Sequence, residues 1–307
     1  MARCSHPHYT LDLGLNENGK RNLKFVGFQP DLSSLAQLSQ RYGNHNIVPL
    51  PCGSCVQCMI NKAKEWAVRC CLEALEHEEN YFITLTYDNE HLPKDGALHK
   101  EDLQKFFKRL RKAFGSFRYF ACGEYGKAGQ RPHFHALVFG LHIDDAKPVL
   151  GHLKSDNFSR VWPFGAYSLD EVSYASANYV AQYTSNKLFK SVDIGKAKEF
   201  IVASNRPGIG AHWCEEHLPV LLEYDRVFGS FGNSKEAKLP RYFDILAERI
   251  DKGSFDAMKA KRLNKDNAFE LNNMLVHQFS NIEKLLEYEE RLTLNDFIAR
   301  KRGLRTL

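Results

Sequence analysis

The segment RPHFHALVFG, residues 131–140, decides the fold class of this 307-residue chain. Two histidines, His133 and His135, flank Phe134 and run into an apolar stretch. On a β-strand alternate side chains leave the same face, so both imidazoles would project together while Phe134 points to the opposite face. Two interpretations remain open: a pair of metal ligands, or two surface residues on an ordinary half-buried strand.

The segments on either side of this strand predict a sheet with helices packed on it. FRYFACGE, residues 117–124, is separated from the histidine strand by a polar, glycine-containing stretch, which predicts a β-hairpin. Apolar periodicity predicts further strands at 81–87 and 165–172, and helices at 56–79, 99–114, within 143–160 and at 173–189. This order of elements implies an α+β fold, an antiparallel central sheet with helices on one side.

Three segments are expected along the chain. A cysteine-rich N-terminal segment with its helix covers 1–79, the sheet core covers 80–190, and a C-terminal loop and helical extension covers 191–307. The first 50 residues are mixed in composition and predict mostly loops. Charged helical patterns within 239–263 and 281–302 predict the C-terminal helices.

The positive charge is concentrated in one window. The whole chain carries +5, whereas residues 94–131 hold ten Lys or Arg against four acids, a net +6. A local positive field suits a polyanion such as nucleic acid, although a solvated helix face would show the same excess. There is no 18-residue apolar run and no apolar signal segment at the start, so we expect a cytoplasmic protein with no membrane partner.

The cysteines predict a metal site rather than disulfides. Eight cysteines in a chain without an export signal argue against a disulfide framework. Cys52, Cys55 and Cys58 follow a C-x2-C-x2-C rhythm, and Cys4 could close a tetrahedral structural zinc site. Unmetallated thiols remain the alternative. Other candidates for the fourth ligand are His6, His8, Cys70 and Cys71.

Glu124 is the best candidate for a third donor beside the histidines. It ends the preceding strand and could lie next to His133 across the predicted hairpin. Two imidazoles and one carboxylate leave coordination positions open for a phosphate oxygen and water, and such mixed ligation suits Mg²⁺ or Mn²⁺.

Two tyrosines downstream could supply a nucleophile. Tyr179 and Tyr183 are four residues apart, so their hydroxyls share one helix face, and Lys187 extends the same stripe. A metal-bound phosphate and a nearby ammonium would favour the phenolate as a nucleophile. The alternative is that both rings pack with their hydroxyls at the edge of the core.

These motifs together resemble a known family. HFH on a strand, followed by Y-x3-Y and a lysine on a helix, resembles the HUH endonucleases that initiate rolling-circle replication, Phe134 being the bulky hydrophobe. Further phrases resemble the initiators of small single-stranded DNA phages, the gokushovirus-type microviruses. They are PCGSCVQC, FITLTYDNEHLP, RYFACGEYG, RPHFHALVFG, YVAQYTSNK and RPGIG, between residues 50 and 215.

The resemblance implies a role for each motif. His133 and His135 would be metal ligands, with Glu124 at the position of a third. Tyr179 and Tyr183 would be paired nucleophiles: one nicks the origin, leaving a 3′-OH and a 5′-phosphotyrosyl link, and the other cuts and rejoins a unit-length circle. Many relatives carry a basic residue before the second tyrosine, where this chain has Gln182, which leaves Lys187 as the cationic helper.

The resemblance also implies DNA contacts and partners. The partner would be single-stranded DNA at a replication origin in the host bacterial cytoplasm, with host helicase and polymerase as further candidates. An HUH transposase or relaxase, and a non-catalytic zinc-containing nucleic-acid-binding protein, are the alternative functions. The candidate DNA contacts are Thr84, Thr86, Tyr87, Lys105, Lys108, Arg109, Lys112 and Arg131.

Overall fold

The computed structural model divides the chain into two compact units. One comprises residues 1–61 with 266–307, and the other comprises 62–265. The three-part domain division expected from the sequence remains a prediction. The residues described are 4–15, 17, 21–27, 37, 47–126, 130–149, 152–182, 197–262 and 290–291.

The first unit contains a three-stranded antiparallel sheet in the order β2-β1-β3. The strands are β1 (His8–Leu15), β2 (Arg21–Gly27) and β3 (Ile47–Leu50). The expectation of mostly loops is wrong here. Leu11 and Leu13 alternate with polar residues, and Leu11 is almost fully buried, so the period of two was the available signal.

The second unit is built on a seven-stranded, wholly antiparallel sheet in the order β10-β5-β6-β4-β9-β8-β7. The predicted strands at 81–87, 117–124, 132–140 and 165–172 are confirmed, as is the hairpin β5–β6. The strands are β4 (Asn80–Tyr87), β5 (Arg118–Tyr125), β6 (Pro132–Phe139), β7 (Lys147–Val149), β8 (His152–Lys154), β9 (Gly165–Glu171) and β10 (Phe200–Ala203).

Helices cover both faces of this sheet. They are α1 (Val56–Leu75), α2 (Lys100–Phe114), α3 (Asp156–Val161) and α4 (Tyr174–Gln182). On one face Phe134, Ala136 and Val138 of β6 pack under α2 and α3. On the other, Leu137 and Phe139 pack with α1 and α4.

The expectation of helices on one side is therefore wrong. β6 is apolar on both faces beyond His135, and a strand buried on both faces needs a layer on each side. The continuous apolar run ALVF in the sequence was the signal of this double burial.

The stretch at 143–160 is only partly helical. It contains the short strands β7 and β8 before α3, whose N-cap Ser155 accepts a hydrogen bond from the Phe158 amide. Beyond β10 follow further elements, including a β-hairpin that the sequence did not predict. They are α5 (Ala211–Glu216), α6 (Leu218–Tyr224), β11 (Arg226–Phe231), β12 (Ser234–Lys238) and α7 (Arg241–Ile250).

The predicted helical pattern at 239–263 corresponds to α7 and a helical segment at 252–262. Of the pattern at 281–302 only Glu290 and Arg291 are described, so the helical C-terminal extension stays a prediction. Within the described ranges, every helix is too short or too polar to cross a bilayer.

Candidate active site

Strand register brings Glu124, His133 and His135 together. In the β5–β6 pair Glu124 lies opposite His133, and Cys122 lies opposite His135. The Glu124 carboxylate oxygen Oε1 is 2.6 Å from Nε2 of His133 and 3.0 Å from Nε2 of His135. One ligand atom from each of the three side chains lies within 4.8 Å of the others. We call these three residues the triad.

Neighbouring groups orient both imidazoles toward Glu124. Nδ1 of His133 is 3.0 Å from the carbonyl oxygen of Arg131, which can only accept, so this nitrogen is the donor. Nδ1 of His135 is 3.0 Å from the Thr84 hydroxyl. Such contacts on Nδ1 fix the tautomer and leave the Nε2 lone pair for a cation.

The donor set fits a divalent cation. Two Nε2 lone pairs and a carboxylate oxygen converge, and acceptors that close to one another need a proton or a metal ion between them. Ligands at right angles around an ion at ~2.1 Å are about 3.0 Å apart, near the observed spacings. Two imidazoles and one carboxylate also leave positions open for substrate.

Glu124 is buried yet remains ionised. It is 3% exposed, and this burial by itself would raise its pKa. Hydrogen bonds and positive charge from His133 and His135 outweigh burial, so the pKa of Glu124 lies below its ordinary value. An ionised carboxylate is the form that a cation requires.

Tyr179 faces the triad. Its hydroxyl donates a hydrogen bond to Glu124 Oε1 at 3.2 Å, and its ring lies edge-on to the ring of His135 with centroids 5.1 Å apart. The side chain is 38% exposed, which leaves the phenol open to a substrate. Tyr183 and Lys187 lie outside the described residues.

The start of α4 fixes the position of Tyr179. Ser173 is the N-cap, as predicted among two candidates: its hydroxyl accepts from the Ser176 amide, and the Ser176 hydroxyl accepts from the Ser173 amide. Ala177 and Val180 are fully buried against the sheet. The flanking residue Tyr179 is thereby directed along the sheet toward the triad.

Three of the candidate DNA contacts lie on β4. Thr84 and Thr86 pair with His135 and His133 and are half-buried beside the triad. The Thr84 hydroxyl is occupied by His135, a role that the sequence did not predict and that only the strand register reveals. Tyr87 is 3% exposed in the core and donates to Asp102, so we do not retain it among the DNA contacts.

The basic helix α2 does not join the triad. It packs on the face of the sheet that carries Phe134, whereas the histidines leave the opposite face. Lys105, Lys108 and Lys112 are exposed on that far side. These lysines cannot contact the same phosphodiester as the triad.

Two of the candidate arginines have structural partners. Arg109 donates to the carbonyl oxygen of Val161, and its guanidinium lies over the Phe164 ring. Arg131 donates to the carbonyl oxygen of Tyr87 and to Asn89. Both side chains tie loops to the sheet, so charge in the sequence did not identify which cations face a ligand.

The four predicted cysteines form a second cluster, in the first unit. Sγ of Cys4 is 3.8 Å from Sγ of Cys55, and Sγ of Cys52 is 4.0 Å from Sγ of Cys58. A tetrahedral zinc site with Zn–S bonds of ~2.3 Å has sulfurs about 3.8 Å apart, so the observed spacing fits. The weaker ligand candidates His6, His8, Cys70 and Cys71 are not part of this cluster.

Backbone amides and shared protons support the thiolate form of the cluster. The amides of Cys52, Cys55 and Cys58 donate to the sulfurs of Cys4, Cys52 and Cys55. A hydrogen bond from the Cys58 thiol lowers the pKa of Cys55 to about 3 against the effect of burial, while burial raises the pKa of Cys4 to about 11. Clustered thiols that share protons in this way can exchange them for a cation.

The sequence is similar to known replication proteins. The family model for the replication-associated protein ORF2 matches residues 80–188. The replication-associated protein ORF2 of Spiroplasma virus 4 is 36% identical over 235 residues, which cover 69% of this chain and 72% of that protein. No solved structure matches.

Two further relatives carry similar names. The replication-associated protein ORF4 of Chlamydia phage 1 is 29% identical over 270 residues, 82% of this chain and 67% of that protein. The replication-associated protein VP4 of Bdellovibrio phage phiMH2K is 33% identical over 209 residues, 63% of this chain and 65% of that protein.

Proposed function

Because the chain belongs to the family of replication-associated proteins of microvirus phages, we propose that it initiates rolling-circle replication as an HUH endonuclease. In this role it nicks single-stranded DNA at the phage origin and later rejoins the ends. The activity is a transesterification by tyrosine that depends on Mg²⁺ or Mn²⁺.

One observation carries this proposal. The hydroxyl of Tyr179 is 3.2 Å from a carboxylate oxygen that also contacts both histidines. A half-exposed phenol beside a three-donor cation site is the arrangement that attack on a phosphodiester needs. Family membership supplies the substrate class.

The triad would hold the metal ion through Nε2 of His133, Nε2 of His135 and the Glu124 carboxylate. A bound Mg²⁺ or Mn²⁺ supplies positive charge that polarises the scissile phosphate. His133 and His135 hold their positions through the Arg131 carbonyl and the Thr84 hydroxyl. The rigid sheet therefore presents the ligands without reorganisation at the moment of reaction.

Tyr179 is the nucleophile for which the geometry is described. Its hydroxyl oxygen forms a bond to phosphorus as the bond from phosphorus to the 3′ oxygen breaks. The phenol loses its proton, and the departing 3′ oxygen takes one up to become the 3′-OH that primes synthesis. The 5′ end stays on the tyrosine as a phosphodiester, so no bond energy is lost before rejoining.

Rejoining is the reverse reaction with a new 3′-OH. We propose that Tyr183 is the second nucleophile and Lys187 the cation that stabilises charge on the phosphorane, as the Y-x3-Y…K spacing predicts. Host helicase and polymerase would extend the primer.

We further propose that the four-cysteine cluster holds a structural Zn²⁺. Four sulfurs near tetrahedral spacing support a closed coordination shell with no position for substrate. This metal would stabilise the first unit and take no part in cleavage.

A covalent-adduct gel tests the proposed activity. Single-stranded origin DNA is incubated with the full chain in Mn²⁺ or in EDTA, and adducts are separated under denaturing conditions. We expect an adduct in Mn²⁺ only, weaker in Tyr179→Phe or Tyr183→Phe and absent in the double variant. Tyr119→Phe, at a half-buried tyrosine whose ring packs against Phe107 on the opposite face of the sheet, serves as the matched control.

The alternatives predict other results on the same gel. A non-catalytic DNA-binding protein forms no adduct in any condition. An HUH transposase or relaxase forms one on its own recognition sequence but not on the phage origin. An adduct that persists in the double variant would mean that the nucleophile assignment is wrong.

A further inference from the structure

The hairpin β11–β12 has one buried and one exposed face. Val227 and Phe231 are buried in a core cluster that also contains Phe243. Side chains on the opposite face, including Phe228 at 49% exposure, point to solvent. The hairpin therefore lies on the surface of its unit as a two-stranded ribbon anchored from below.

Two aromatic rings meet on the exposed face. Tyr224, at the end of α6, is 52% exposed and lies edge-on to Phe228, with ring centroids 5.7 Å apart. Burying a phenylalanine ring would stabilise the fold, and this sequence forgoes that gain. Lone exposed rings are ordinary, but contacting rings beside cations form the surface on which unpaired bases stack.

The charge around these rings is positive. Residues 226–241 carry four basic side chains against a single acid, Glu236, a net +3. The nearby Asp225 is already neutralised by Arg262, which donates to both of its carboxylate oxygens, so Glu223 is the remaining exposed acid on the adjoining helix. The basic side chains are Arg226, Lys235, Lys238 and Arg241.

The hairpin turn packs on the helix that carries Tyr179. Gly232 has φ +65°, and a Cβ there would lie 3.3 Å from the ring of Tyr174, which also meets Phe231 at 6.1 Å. Tyr174 is the first residue of α4. It precedes Tyr179 by five residues, about 7.5 Å of helix rise.

We propose that the outer face of the hairpin binds single-stranded DNA next to the cleavage site. Bases stack on Phe228 and Tyr224, while Lys235 and Lys238 contact the phosphates. The inference rests on the proposed function for DNA as the substrate. It adds a binding surface that the triad and the tyrosine motif do not include.

Binding to fluorescein-labelled oligothymidylate, measured by anisotropy with the full chain and no added divalent metal, tests this surface. Phe228→Leu keeps an apolar side chain but removes the ring, so we expect at least a roughly fivefold weaker Kd. Phe228→Trp should bind within about twofold of wild type. Lys238→Ala should reduce the salt slope of log K by about 0.7.

Two further variants serve as controls. Ile245→Ala removes an equally exposed apolar side chain on α7 and should leave the Kd unchanged. Glu236→Gln removes the acid that lies 3.7 Å from Arg226 and should tighten binding at low salt. A thermal melt of each variant establishes that the fold is intact.

The proposal is overturned if Phe228→Leu binds like Ile245→Ala, or if duplex DNA competes as well as single strands. Nicking is not scored, so the outcome is separate from that of the proposed activity. Normal nicking with hairpin-independent binding would refute this surface alone, and hairpin-dependent binding without any adduct would refute the endonuclease alone.

Discussion

The chain has two candidate metal centres, and it builds them in different ways. The triad takes its donors from adjacent strands of one sheet, where register fixes the distances. The cysteine cluster joins Cys4 to three thiols near the start of α1, 48 to 54 residues along the chain. Three mixed donors leave coordination positions open, while four thiolates close the shell. The difference separates a centre for chemistry from a centre for stability.

The largest effect is expected at the triad. Glu124→Gln removes one anionic ligand, and we expect nicking to fall roughly a thousandfold because several kcal/mol of transition-state stabilisation is lost. Single-turnover nicking of origin DNA measures this effect. Glu171→Gln, an exposed acid on β9, is the matched control and should nick normally. Residual activity within tenfold of wild type would remove Glu124 from the metal site.

The cysteine cluster should respond in the opposite way. Cys55→Ser should abolish zinc retention and destabilise the first unit by several kcal/mol, since structural zinc binding is folding free energy. Metal content by native mass spectrometry and a thermal melt measure these effects. Cys71→Ser lies outside the cluster and should keep its zinc. A zinc-free wild-type protein with an unchanged melt would contradict the structural assignment.

A smaller effect is expected where the sheet supports the triad. Thr84→Val keeps the shape but removes the hydroxyl beside His135, so Mn²⁺ affinity should fall about tenfold. Thr84→Ser retains the hydroxyl and should lose less than about threefold. Calorimetric Mn²⁺ titration reads this without activity. Equal affinities in the valine and serine variants would show that the contact does not orient the ligand.

The smallest effect is expected at α2. Replacing Lys105, Lys108 and Lys112 together by alanine should lower kcat/KM for nicking less than about threefold at physiological salt, since exposed charges are screened. These lysines lie across the sheet from the triad. A loss of tenfold or more would mean that α2 carries the substrate DNA.

The sequence predicted most of the sheet and the triad for one physical reason. Period-two alternation in HFH and pairing across a short hairpin determine which residues face each other, so Glu124 could be placed beside His133. The double burial of β6 was readable in ALVF but was interpreted as a single apolar face. The strands before residue 50 were missed because short alternating runs were mixed with turn residues.

The DNA contacts could not be predicted in the same way. Charge indicates that a side chain reaches the surface, but not which surface, so Arg109 and Arg131 were assigned to DNA although they hold loops in place. Tyr87 alternates with Thr86 and therefore points into the core. The hairpin β11–β12 carries no motif, and only its exposure and its packing on Tyr174 draw attention to it.

The central claim is that Tyr179 attacks DNA held at the triad. A single-stranded origin oligonucleotide with a bridging 3′-phosphorothiolate at the nick traps the first covalent product, and peptide mass spectrometry then locates the attached nucleotide. We expect the 5′-phosphate on Tyr179, formed in Mn²⁺ and lost in His135→Ala. Attachment outside the two motif tyrosines, or an adduct that His135→Ala still forms at the wild-type rate, would contradict the account.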